Sequence, residues 1–274
     1  MKIWSYWQHC ANISIIAIAA TCITACGGEK KDSGSYKDLT FNKVKANKTA
    51  KLIESDGNSP ECKVSINLQS VASKDKASQR IDSAVVEQVF TFTDTPMQQA
   101  ADSFVNIYTD NYRKEYTTFY KEDGEAAKAR YSFVYEVDGK AEEGYKQTLM
   151  YNIHSTIFEG GAHPLTTDLT LNFNTKTGDK ITLRDIIEQG KEGQLSQKLL
   201  EQLLKDKKMT NIKELNEAGY LQNSDLYPTD NFKLGKDAIT FIYNPYEIAS
   251  YDKGKTEITL KYDDIKDLLN KEYK

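Results

Sequence analysis

Two of the chain's three histidines, His154 and His163, flank a glycine pair, Gly160-Gly161, with Glu159 and Asp168 close by in sequence. Imidazole next to carboxylate is the composition of a general acid–base pair or of a metal site. A hydrolase acting on peptidoglycan or another glycan would use His163 with Glu159 or Asp168. The spacing matches no His-Glu-x-x-His pattern. His154 also shares the strand parity of Thr148 and Asn152, opposite Leu149, Tyr151 and Ile153. A plainer reading therefore stands beside the catalytic one: His154 lies on a solvent face and His163 hydrogen-bonds loop backbone. Nucleophilic chemistry has less to work with. Cys62 opens a strand with no histidine near it in sequence, and no Gly-x-Ser-x-Gly elbow occurs. Gly160-Gly161 lies between strands, whereas a phosphate-cradling loop joins strand to helix. Acidic pairs such as Glu142-Glu143 and Asp263-Asp264 are what 40 Asp and Glu produce by number alone. No catalytic residue, metal or cofactor is assigned.

Tyrosine is the other residue type that could carry function, with 17 in the chain. Tyr227-Pro228 precedes a denser run, Tyr243-Asn244-Pro245-Tyr246-Glu247-Ile248-Ala249-Ser250-Tyr251. Tyrosine combines apolar area with a hydroxyl and suits interfaces. The candidate binding surface is the 158–165 loop together with 243–251, with Gly160, Gly161, His163, Tyr243, Tyr246, Glu247 and Tyr251 as its residues. The competing reading makes the tyrosine run a loop that caps the core.

The elements that must position these residues follow from periodicity. Val64, Ile66 and Leu68 alternate as a half-buried strand, and Ile81, Val85, Val86 and Val89 are spaced for a helix. Thr95-Pro96-Met97-Gln98 reads as a helix start, with Thr95 as N-cap. Ala100, Ala101, Phe104, Tyr108, Tyr112, Tyr116 and Phe119 then form one apolar stripe facing a core. Tyr131 to Val137 and Leu149 to Ile153 alternate as a hairpin around a turn at Asp138-Gly139-Lys140. Leu169 to Phe173 is a further strand, and Ile181-Thr182-Leu183 a short one. Leu195 to Leu204 is a helix. Phe232 to Tyr243 is a hairpin, Ile258 to Tyr262 a strand, and Ile265 to Leu269 a short closing helix. The pattern predicts an α+β fold with mainly antiparallel sheets and packed helices in two consecutive subdomains.

The N-terminus carries an address. The apolar run Ile13 to Ala20 is too short for a bilayer span but suits a secretory signal. It ends in Ile23-Thr24-Ala25-Cys26, a bacterial lipoprotein box. Residues 1–25 are thus expected to be a signal peptide and Cys26 the lipidated residue. Gly27 stands where an inner-membrane retention signal would place Asp, which points to the outer membrane of a Gram-negative cell envelope. Residues 26–60, rich in Lys, Asp, Ser, Gly and Asn, read as a flexible tether, with Phe41 to Val44 as a candidate edge strand. Cleavage removes both tryptophans and leaves Cys62 as the one free thiol, so no disulfide is expected. The 274 residues carry 36 Lys and Arg against 40 Asp and Glu, for a net charge of −4. That balance excludes a multi-span membrane protein and a disordered chain, and argues against nucleic-acid binding.

Gly160-Gly161-Ala162-His163-Pro164, Leu171-Asn172-Phe173, Thr177-Gly178, Leu183-Arg184-Asp185-Ile186 and Tyr243-Asn244-Pro245-Tyr246-Glu247-Ile248-Ala249 with Gly254 resemble the DUF3298 family. Residues 61–158 resemble its partner domain DUF4163, with 159–274 as the 3298-like part. The same pair forms the ectodomain of the lysozyme-sensing anti-sigma factor RsiV and the non-catalytic N-terminal region of the peptidoglycan deacetylase PdaC. The resemblance implies a non-enzymatic binding module for a lysozyme-like protein or a peptidoglycan fragment. The deacetylase's own motifs do not carry over. Thr91-Phe92-Thr93-Asp94 only echoes its Thr-Phe-Asp-Asp, and Phe158 stands where a second histidine after His154 would be needed. A purely structural envelope role is the third reading.

Overall fold

The computed structural model describes residues 35–222 and 225–274. The expected signal peptide and the lipidation site Cys26 lie outside the described residues.

Strand alternation builds the larger sheet. β1 (Phe41–Lys51) pairs antiparallel with β2 (Glu61–Val71), Val44 opposite Leu68 and Ala46 opposite Ile66. The chain leaves the sheet through α1 (Lys76–Phe90) and α2 (Met97–Asp123) and re-enters parallel to β2 as β3 (Phe133–Glu143). A parallel neighbour requires such a crossover. β4 (Leu149–Phe158), β5 (Leu165–Phe173) and β6 (Lys180–Ile181) follow antiparallel, so the six strands stand in sequence order. One face carries Val44, Ile66, Leu68, Val137, Tyr151 and Leu171, all buried in the core that α1 and α2 complete. Because side chains alternate, the other face carries Lys43, Lys45, Asn67, Asp138, His154 and Asp168, none of them buried.

A second core begins at Ile181. It is built from α3 (Leu183–Ile186), α4 (Glu192–Lys207), α5 (Ile212–Glu217) and a three-stranded antiparallel sheet of β7 (Phe232–Leu234), β8 (Ala238–Tyr243) and β9 (Thr256–Lys261). Leu195, Leu199 and Leu203, at helical spacing, are buried against it. The architecture is α+β with mostly antiparallel strands, as the alternation indicated.

Three asparagines join the two sheets. Asn172, on β5, accepts the Leu234 N–H at 3.0 Å and donates to the Phe232 carbonyl at 2.7 Å. Asn231 accepts the Thr170 N–H at 3.0 Å and donates to the Asp168 carbonyl at 2.8 Å. Asn244 accepts the Asp168 N–H at 2.7 Å and donates to the same carbonyl at 3.0 Å. Asn231 and Asn244 stand in for a strand partner along the outer edge of β5, and Asn172 does the same for β7, so backbone groups that would otherwise be buried unpaired are satisfied.

Several local readings change. Residues 138–140 do not turn; β3 runs through them, and the chain reverses at Tyr145–Gln147, where Lys146 and Gln147 take positive φ. Gly139 serves close packing instead of a turn. A Cβ there would lie 2.5 Å from Leu68 Cδ2 and 2.9 Å from the Tyr151 hydroxyl. That hydroxyl crosses to β2, donating to the Gln69 carbonyl at 2.8 Å and accepting its N–H at 3.0 Å. α2 starts one residue later than expected, because Pro96 has an extended ψ of 138° and takes the N-cap position without a side-chain cap bond. Phe119 falls outside the buried stripe and is 56% exposed. Of Ile181-Thr182-Leu183 only Ile181 is strand; Thr182 caps α3 in a capping box with Asp185. The closing segment 262–268 is a 3-10 helix. The stretch read as tether is folded from β1 onward, with Leu52 buried and its N–H on the Pro60 carbonyl at 2.9 Å. The boundary placed at 158/159 falls inside the β4–β5 hairpin, whereas the two cores divide between Phe173 and Ile181.

Candidate functional site

The two loops singled out in the sequence meet. The first joins β4 to β5 across residues 159–164. Gly160 takes φ +84°, and a Cβ there would lie 2.1 Å from the Arg130 carbonyl oxygen, so only glycine fits. The second joins β8 to β9 across residues 244–255. Asn244 anchors it to β5 through the amide bonds above, and Tyr251 sits in a 3-10 turn. Tyr246 holds φ +74°, a left-handed backbone that a bulky residue rarely takes.

His163 is the centre of the contact. Its ring stacks on Tyr251 with centroids 3.5 Å apart at 17°. Its Nε2 and the Tyr246 hydroxyl are 3.2 Å apart, and its Nδ1 lies 3.3 Å from the Pro164 carbonyl. The Tyr251 hydroxyl donates to that same carbonyl at 2.7 Å. Tyr246 and Tyr251 stack at 5.5 Å and 30°. The patch is ordered yet faces solvent: Tyr246 is 62% exposed and the adjoining Leu165 42%. Glu247 braces the same loop. Its carboxylate accepts the Asn244 N–H at 2.9 Å, and burial of the carboxyl raises its pKa above the usual range.

Tyr243 does not belong to this surface. Its side chain is fully buried in the second core and its hydroxyl donates to the Tyr227 carbonyl at 2.6 Å. Strand parity decides this, because Tyr243 ends β8 on the face that carries Ile239 and Phe241. Gly161 differs from Gly160: a Cβ there would meet only the His163 carbonyl oxygen, at an ordinary contact distance of 3.9 Å.

The carboxylates proposed as partners of His163 are engaged elsewhere. Glu159 accepts a hydrogen bond of 2.5 Å from the Tyr108 hydroxyl. Asp168 lies opposite His154 across β4 and β5, with its Oδ1 2.8 Å from His154 Nδ1. Its other oxygen lies 2.8 Å from Lys255 Nζ, which also pairs with Glu257 at 3.0 Å. Burial raises the Asp168 pKa, but Lys255 and His154 outweigh that and hold it below the ordinary value. His163 is thus a stacking and hydrogen-bonding residue, while the one histidine–carboxylate pair among the described residues is His154–Asp168. Among those residues no group of three or more His, Cys, Asp or Glu is placed to hold a metal ion. Cys62 is fully buried, and burial pushes its thiol up to about 12. Such a thiol is a packing residue and not a nucleophile at neutral pH.

Sequence reasoning missed Asn231, Lys255 and the anchoring role of Asn244. Asn231 and Asn244 had a signal, since each lies just outside a strand, where a side-chain amide can replace a missing ladder partner.

The family model described as "Protein of unknown function (DUF3298)" matches residues 184–263. The crystal structure of a DUF3298 family member from Bacteroides fragilis is similar over 88% of this chain and 96% of that one, at 30% identity and a TM-score of 0.80. A DUF3298 family protein from Pseudomonas aeruginosa PAO1 aligns over 85% of this chain and 96% of that one at a TM-score of 0.59. Its 15% identity supports likeness of fold alone. No curated protein matches the chain.

Proposed function

The chain belongs to the DUF3298 family, and on that premise we propose that it is a non-enzymatic binding module of the cell envelope. Its ligand is a lysozyme-like protein or a fragment of peptidoglycan. Cys26 carries the lipid that anchors it, in the outer membrane of a Gram-negative cell. The observation that supports this reading is the interlock of His163, Tyr246 and Tyr251. An exposed aromatic patch contributes little to a core. When its rings are fixed in advance, binding loses less side-chain entropy, by about 0.5–1.5 kcal/mol for each side chain already ordered. Tyrosine is also a frequent anchor residue in interfaces. The resemblance of 61–158 to DUF4163, and of both parts to the RsiV ectodomain and the N-terminal region of PdaC, supports the choice of ligands. The net charge of −4 favours a basic partner only weakly. The hydrolase reading loses its basis at His163, whose partners are Pro164 and Tyr246 instead of a carboxylate.

Calorimetric titration with a c-type lysozyme, alongside co-sedimentation with intact peptidoglycan sacculi, tests the proposal. Saturable binding to either ligand, without release of reducing ends from the sacculi, is the expected result. Binding to neither would overturn it, and release of reducing ends would replace it with the hydrolase reading.

A further inference from the structure

The open face of the six-stranded sheet holds a second feature, apart from the loops. A groove of 510 Å³ runs across it, walled on one side by Lys233 of the smaller sheet. Strand register lines up one residue from each of five strands across its floor. Lys45 is opposite Asn67, Asn67 beside Asp138, Asp138 opposite His154, and His154 opposite Asp168. Lys43 lies two residues along β1 from Lys45 and lines the same groove.

The charges along this row are not equally engaged. Asp168 is taken up by His154 and Lys255, and Lys140 pairs with Glu142 at 3.3 Å. The side chains of Lys43, Lys45 and Asp138 have no ion-pair or hydrogen-bond partner among the described residues. Free ammonium groups therefore stand on β1 and a free carboxylate on β3. The two strands that carry them lie two strand spacings apart, about 10 Å. Asn67 lies between, its amide bound among the described residues only to the Ser65 hydroxyl, at 3.4 Å.

We propose that this groove binds a short zwitterionic peptide lying across the strands, its carboxylate on Lys43 and Lys45 and its ammonium on Asp138. Three residues in extended form span about 10 Å from end to end, which matches the spacing of the two strands that carry the opposite charges. The middle residue then lies over Asn67, whose amide can donate to or accept from the peptide groups on either side of it. The volume falls within the range of small-molecule sites, roughly 300–1,000 Å³. A ligand with a single charge meets only one end of the row, so the site selects for both termini together. This proposal is independent of the loop patch and needs no macromolecular partner.

The test is a titration of the full chain with trialanine, followed by chemical-shift changes of backbone amides in β1 to β4. N-acetyl-trialanine and trialanine amide, each lacking one terminal charge, serve as comparisons. Saturable shifts centred on Asn67 are expected with trialanine, and at least about five-fold weaker binding with either blocked peptide, since lost charge-assisted bonds cost on the order of 1 kcal/mol or more. In Asp138→Asn, trialanine and its N-acetyl form should bind alike; in Lys43→Gln with Lys45→Gln, trialanine and its amide should bind alike. Both variants change exposed positions. Tyr246→Ala should leave trialanine binding unchanged, which separates this site from the loop patch. No saturable binding of trialanine, or equal binding of all three peptides to the unmodified chain, would overturn the proposal.

Discussion

Asp82 shows how a single side chain sets a pH dependence. Its Oδ1 accepts the Val71 N–H at 2.9 Å, tying α1 to the end of β2. Burial pushes its carboxyl up to about 6, and the Val71 bond offsets only part of that rise. The folded protein therefore holds a proton that the unfolded chain, with an ordinary Asp near 3.8, has released. Stability linked to Asp82 is fully present below about pH 4 and is lost as pH rises through about 6. Asp82→Asn keeps the acceptor oxygen and removes the charge. At pH 7 it should raise stability by on the order of 1 kcal/mol, discounted for the partial exposure of the group. Chemical denaturation at pH 4 and pH 7 checks this: the gain should appear at pH 7 and fade at pH 4. Gly139 and Gly160 are residue-scale constraints of a different kind. At Gly139 the missing Cβ admits the Tyr151 hydroxyl, and at Gly160 it admits the Arg130 carbonyl.

Among the elements, β5 has the most unusual position, because it belongs to one sheet and exchanges side-chain-to-backbone bonds with the other: Asn231 and Asn244 bind its backbone, and its own Asn172 binds that of β7. Removing the Asn172 amide would strand the Leu234 N–H and the Phe232 carbonyl in a site where Asn172 itself is 1% exposed. Asn172→Ala should therefore cost roughly 2–3 kcal/mol, the desolvation of two buried backbone groups. Scanning calorimetry should show the folded chain melting in one transition and the variant melting lower, with the two cores separating. A single unshifted transition would show that the seam contributes nothing. Much of this scale was legible in advance. Alternation at Val64 to Leu68 and at Leu169 to Phe173 placed strands correctly, and the α2 stripe from Ala100 to Tyr116 faces the core. Two of the errors come from contacts distant in sequence. Asp138-Gly139 has turn chemistry, but Tyr151 needs that glycine inside a strand. Residues 41–51 are as polar as a tether, yet only one face of an edge strand needs apolar side chains. Outer-edge carbonyls of β1 are instead covered by α2, with Gln98 donating to Lys45 and Arg113 to Lys51, and no periodicity in 41–51 could reveal that.

For the whole molecule, the fold brings together loops about 80 residues apart in sequence, and the candidate site exists only because it does so. The meeting of 158–165 with 243–251 was legible as an expectation from residue types. Its geometry was not, since the loop that carries Tyr251 is tied to β5 through the Asn244 amide. Nor could residue types tell Tyr246, on the surface, from Tyr243, three residues earlier and fully buried. The most direct measurement is the affinity of Tyr246→Ala for c-type lysozyme, set beside the unmodified chain, with thermal melting of both. If the preformed patch carries binding, affinity should fall at least about ten-fold, the loss of one anchor worth 1.4 kcal/mol or more. The melting temperature should hold steady, because Tyr246 is exposed and alanine keeps the same left-handed backbone. An unchanged affinity in a folded variant would contradict the account and move the binding surface away from these loops.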